Sequence, residues 1–117
     1  MFEKLELTRM AQGLAAHAGA RMGVIAQNIA HADTPGFRAK DLPAFAEVFR
    51  AGDGTLKLRS QPKPVALQSP VDPNGNSVAL DDQMRRMAEI RQSHEMALSI
   101  YRSTSAVLRA ALGRGGQ

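Results

Sequence analysis

Cysteine is absent from the 117-residue chain, and so is tryptophan. Without a thiol there can be no disulfide framework, no thiolate nucleophile and no cysteine-ligated zinc or iron–sulfur site. One tyrosine and four phenylalanines make aromatics only 4% of the residues, too few for a stacking platform on single-stranded nucleic acid. Long hydrophobic runs are missing too. The uncharged stretch 24–32 holds Gln27, Asn28 and His31 and falls far short of the ~20 apolar residues of a membrane-spanning helix. Glu3, Lys4, Glu6 and Arg9 interrupt the start of the chain, so no cleaved secretory signal is expected. Lys and Arg number 15 against 11 Asp and Glu, a net +4. That excess is dispersed, with no polybasic block. The length is that of one domain.

Proline is distributed unevenly. All six prolines lie in residues 35–75, and residues 1–32 and 76–117 have none. Two helical arms therefore flank a middle that cannot carry a long helix or a central strand. The expected division is an N-terminal helix over 1–33, a turn motif and irregular Pro/Gly-rich region over 34–76, and a C-terminal helix and tail over 77–117. Short strands fit residues 56–58 and 65–67. Asn76 or Ser77 is placed to cap the last helix, and Asp81 and Asp82 suit the dipole of its first turn.

At 100° per residue, Leu7, Ala11, Leu14, Ala18, Met22, Ile25 and Ile29 fall within about 40° of one line. The stripe repeats every 11 residues (7, 18, 29), which fits a nearly straight helix or a slight right-handed supercoil. Gly13, Ala16, Ala20 and Gly23, continued by Gln27 and Ala30, form a small-residue ridge on the opposite side, where another backbone can approach closely. A narrow flank with Glu6, His17, Arg21 and Asn28 suits water. On the second arm Met84, Met87, Ile90, Leu98, Tyr101, Leu108 and Leu112 form the main apolar arc, with Met96, Ile100 and Val107 on another side. Helices of about 30 residues are rods of roughly 45–50 Å, far longer than the average globular helix of 11–12 residues. Two such rods share one seam, so the remaining stripes stay wet unless other chains cover them. The pattern describes a building block of a packed helical assembly.

Chemistry finds few footholds. His17, His31 and His94 lack metal-ligand spacing. Glu89 and Glu95 point about 120° apart on their helix and do not form an acid/base pair. Gly52-Asp53-Gly54 reads as a turn, without the lysine or the strand-to-helix setting of a phosphate loop. No nucleophile–base pair can be nominated, so neither an enzyme, a cofactor, a metal nor a small-molecule substrate is expected. Arg85, Arg86, Arg102, Arg109 and Arg114 could touch phosphates, but they scatter round the helix and mix with glutamates, so nucleic acid is not expected as a partner.

The most distinctive segment runs from Gln27 to Asp41. The restriction that proline places on the residue before it ends the first helix near Ala32 or Asp33. Pro35-Gly36 fits the centre of a type II turn, with Asp33 or Thr34 capping exposed backbone groups. Phe37 is placed to anchor the departing chain. A helix stop plus a turn accounts for all of this.

Ala26, Asn28, Ile29, Ala30, Thr34, Pro35, Gly36 and Phe37 nevertheless match a specific pattern, A-x-N-I-A-N-x-x-T-P-G-[YF]. In this the chain resembles the rod, hook and filament-type axial proteins of the bacterial flagellum. His31 stands where that family usually carries a second asparagine. The short chain, Arg38-Ala39-Lys40-Asp41 after the turn and Pro73-Asn74-Gly75-Asn76-Ser77-Val78 before the last helix resemble the subunits of the proximal rod. The likeness covers residues 1–41 and 73–112 and hardly touches the middle. It implies a mainly α protein whose two long terminal helices pair as an antiparallel coiled coil. It further implies a structural role in the basal-body rod, lining the export channel and carrying torque, with export by the flagellar type III apparatus and no cleaved signal. The implied partners are copies of the chain, neighbouring rod proteins, the adaptor joining rod to membrane ring, and the export apparatus. Leu7, Leu14, Met22, Ile25 and Ile29 would then pack on Met87, Ile90, Leu98, Tyr101 and Leu108 within or between subunits. Independently of any family, the same stripes would serve a cytosolic helical adaptor or chaperone.

Overall fold

A computed structural model describes residues 2–51 and 63–115. Its elements are α1 (Phe2–Ala30), β1 (Lys40–Asp41), α2 (Phe45–Ala51), β2 (Val65–Ala66) and α3 (Leu80–Gly115). The two long helices pack against each other as an antiparallel hairpin, and a two-stranded antiparallel sheet in the middle pairs Lys40 with Ala66 and Asp41 with Val65. The strand expected at 65–67 is present as β2, while the one expected at 56–58 lies outside the described residues. The middle also contains a seven-residue helix, α2, absent from the sequence reading because Phe45–Ala51 is too short to show a helical period between Pro43 and Gly52.

The hairpin is closed by small residues. Ala11, Ala18 and Ile25 on α1 and Gln83, Ile90, Ala97 and Thr104 on α3 are buried, each series stepping by seven. That is the spacing of a coiled-coil seam, and it replaces the 11-residue repeat read from the apolar stripe of α1. The reason is steric. Alanines in the seam let the helices approach closely, and of the bulkier members of the stripe only Ile25 is buried, while Leu7, Leu14, Met22 and Ile29 sit towards its edges. Ile29 and Met87 pack against the Ala18, Ile25 and Ile90 cluster from its margin. Burying Ile25 and Ile90 contributes about 1.5–3 kcal/mol each.

The resulting molecule is long and thin, 69 × 26 × 17 Å with a radius of gyration of 18.1 Å. A compact domain of this length would have a radius near 13 Å. Among the described residues no helix is long and apolar enough to cross a membrane.

Candidate functional site

Past Ala30 the helix tightens into turns, with the His31 amide donating to the Gln27 and Asn28 carbonyls and the Ala32 amide to Ile29. The Thr34-Pro35-Gly36-Phe37 turn then closes through the Phe37 amide on the Thr34 carbonyl, 3.2 Å. Gly36 has φ +76°, as the third position of a type II turn requires. His31 stacks on Phe37 with ring centroids 4.6 Å apart, and its Nδ1 lies 3.1 Å from the Thr34 hydroxyl. A second glycine, Gly75, sits back to back with the first. Its φ is +85°, and a Cβ there would stand 3.2 Å from the Gly36 Cα.

Two buried asparagines secure the chain that leaves this turn. Asn28 treats Lys40 as a strand would: its Nδ2 donates to the Lys40 carbonyl at 2.6 Å, and its Oδ1 accepts the Lys40 amide at 3.1 Å. The same Nδ2 donates to Gln83 Oε1 on α3. Asn76 donates to both the His31 and Thr34 carbonyls and accepts the Val78 amide. Ser77 accepts the Ala39 amide on its hydroxyl and donates its own amide to Phe37. Asn76 and Ser77 are therefore ties between segments rather than helix caps. Helix α3 starts at Leu80, with the Gln83 amide bonded to the Ala79 carbonyl.

Where the crossing chain passes over the hairpin, one buried carboxylate gathers both helices. Arg21 of α1 grips Asp41 bidentately, Nε to Oδ1 and Nη2 to Oδ2, both 2.8 Å. Arg86 of α3 donates to the same Oδ2 at 2.7 Å, and the Leu42 amide donates to Oδ1. Arg86 also bonds Asp82, which Arg85 shares, and Glu89 lies 3.6 Å from Arg21. Burial works hardest against the Asp41 charge, but the arginines and the Leu42 amide overcome it and hold the carboxyl below the ordinary carboxylate value. Asp82 is also lowered, chiefly by its bond to Arg86. Arg21 is raised by its bond to Asp41, against burial and the repulsion of Arg86.

The flank of α1 assigned to water from the sequence is thus occupied. Glu6 is exposed, but Arg21 is half-buried and Asn28 fully buried. His17 Nε2 bonds the Pro43 carbonyl at 2.8 Å, and its ring lies 5.7 Å from that of Phe45. This side of the helix is polar because it receives the backbone of the middle segment, a tertiary neighbour that helical periodicity does not reveal. Beside it opens a cleft of about 600 Å³ lined by Leu14, His17, Arg21, Phe45, Glu89 and Ile90, among others. Among the described residues no group of three potential ligands could hold a metal ion.

Of the residues named for helix packing, Ala18, Ile25 and Ile90 are buried. Leu14, Ile29, Met87, Leu98 and Leu108 are half-buried, and Leu7, Met22, Tyr101 and Leu112 are exposed. On the close-approach ridge Gly13 is buried, Ala20 half-buried, and Ala16 and Gly23 exposed. Among the described residues, a Cβ at Gly23, or at Gly19 one turn before it, would meet nothing within 4 Å. Sequence reasoning singled out Asn28 and the turn, but not Arg21, Asp41, Gln83 and Arg86 as a junction. The sequence places them on three separate elements, with no shared period to link them.

No family model matches the chain. It is similar to the flagellar basal body rod protein FlgB of Agrobacterium fabrum, with 29% identity over 118 aligned residues that cover 86% of this chain and 88% of that protein. A likeness spanning nearly the whole of both chains, on a protein whose two terminal helices are paired and whose Asn28–Phe37 motif is closed as a glycine turn, supports membership of the FlgB family of flagellar basal body rod proteins.

Proposed function

We propose that the chain is a structural subunit of the flagellar basal-body rod and that its work is mechanical. Copies of it pack helix to helix with one another and with neighbouring rod proteins, pass torque through those contacts and help line the export channel. The adaptor at the membrane ring and the flagellar type III export apparatus are its other partners, and no catalytic step is assigned to it.

The observation that carries this reading is the open face of α1. Gly19 and Gly23 lie inside an exposed stretch of helix with free space where a side chain would stand. A glycine within a helix costs about 1 kcal/mol relative to alanine, and nothing among the described residues repays that cost. A helix of another subunit approaching over Ala16, Gly19, Ala20 and Gly23 would. Exposed Met22, Met84 and Met96 add adaptable apolar surface for such neighbours.

The test is a motile host in which this chain replaces the resident rod subunit. Wild-type chain is expected in detergent-washed basal bodies. Gly23→Leu, whose Cβ would meet no described atom within 4 Å, is expected to be exported and yet to leave the rod unbuilt. Normal swimming by the Gly23→Leu strain, or an evenly soluble wild-type chain, would contradict the proposal and favour a cytosolic helical adaptor.

A further inference from the structure

Asp41 is saturated. A carboxylate offers about four acceptor sites, and all are used, by two bonds from Arg21, one from Arg86 and one from the Leu42 amide. The donors come from three elements. Arg21 is the charge that α1 contributes to this cluster, and Asp41 is the charge that the crossing chain contributes, while Asp82, Arg85, Arg86 and Glu89 all stand on α3. Within α3 those four nearly balance one another. Arg21 and Arg86 share Oδ2, so their nitrogens cannot be farther apart than the two bond lengths combined. The carboxylate is what lets two cations from opposite helices stand that close.

We propose that Asp41 is an electrostatic interlock: α1 and α3 close at the level of Arg21 and Arg86 only when the crossing chain is seated between them. Remove the carboxylate, and Arg21 faces Arg86 across the seam: Arg86 keeps its bond to Asp82, Arg21 is left with only the exposed Glu89 at 3.6 Å, and the cluster carries one positive charge too many. An uncompensated charge at a buried pair is far more disruptive than the intact pair is stabilising. The affected level lies one helical turn from Ile25 and Ile90, the two largest side chains of the buried cluster. Opening it therefore strips the apolar contact as well. Helix pairing thus reports that the middle of the chain has folded, and a subunit with its middle unseated cannot present a finished hairpin. The interlock rests on these contacts alone and stands whether or not the chain builds a rod.

Backbone amide exchange on the full chain tests this in wild type, Asp41→Asn and the triple variant Arg21→Gln/Asp41→Asn/Arg86→Gln. In Asp41→Asn, protection over residues 18–28 and 83–93 is expected to fall about tenfold or more. The triple variant should recover much of it, because the repulsion has gone with the carboxylate. A loss confined to residues 37–42, or a triple variant no better protected than Asp41→Asn, would overturn the interlock. Should Asp41→Asn be too unfolded to map, its thermal midpoint is read instead between 0.1 and 1 M salt, where the screening length shrinks from about 10 to about 3 Å. Repulsion predicts a midpoint that rises with salt in Asp41→Asn and stays flat in the triple variant. Equal salt responses would defeat the idea.

Discussion

Where α1 ends and α3 begins, the hairpin is held by directional bonds. Asn28, Asn76, Ser77 and Asp41 each tie two or three segments, and each is buried. At the other end the same two helices run nearly bare. Burial in the seam stops at Ala11 and Thr104, beyond which Leu5 is 49% and Leu112 70% exposed. Leu7 and Val107 also face solvent. The two ends solve different problems. Buried polar groups must find partners with correct geometry, so the junction specifies one arrangement of the chain by itself. Apolar side chains in water specify only that something should cover them. Rigidity is built in at one end, and uncovered apolar surface is left at the other.

The difference can be broken most severely from the junction side. Ile90→Ala should lower the stability of the isolated chain by about 2–5 kcal/mol, whereas Leu112→Ala should cost under about 0.5 kcal/mol; denaturant unfolding of both variants measures the gap. Similar losses would mean that the two ends are built alike. Asn28→Ala comes next. It strands the Lys40 carbonyl and amide and the Gln83 amide group, a loss of about 1–3 kcal/mol, read from the same unfolding curves.

Gly36→Ala should cost about 1–2 kcal/mol, since alanine must adopt a left-handed backbone there. Gly23→Ala, with ordinary helical backbone and open space around it, should stabilise the lone chain by up to about 1 kcal/mol. Thermal unfolding of the pair should thus give shifts of opposite sign.

Acid provides the gentlest probe. The folded-state carboxyls of Asp41 and Asp82 lie below their ordinary value. Their contribution is therefore fully present above the ordinary carboxylate range, and it is lost as pH falls through the depressed folded values. Between pH 7 and 5 stability should stay flat on their account and then decline below about pH 4. An acid titration followed by far-UV circular dichroism would show it, and Asp41→Asn should blunt the decline.

The turn was legible because proline and glycine constrain backbone locally: Pro35 fixes one φ, and Gly36 permits the next. The existence of the two long helices was legible from the proline-free arms, and the Ala18–Ile25–Ile90 seam lies within the stripes that periodicity picked out. Which members of the stripe go inside was not legible, because Ala11 and Leu7 have nearly the same helical phase and only the partner helix distinguishes them. The polar flank of α1 reads as wet in the sequence for a similar reason. A half-buried arginine and a solvated one look identical until Asp41 arrives from a segment 20 residues away.

By itself, then, the sequence determined where the chain must be helical, where it must turn and how much apolar surface two rods would leave over. All of these follow from short-range sterics and from counting. Only the tertiary structure decided that alanines close the seam, that Asn28 and Asn76 serve as ties and that three elements meet on one carboxylate. Such choices depend on which distant groups come within hydrogen-bonding or van der Waals reach, and residue spacing along one helix carries no record of that.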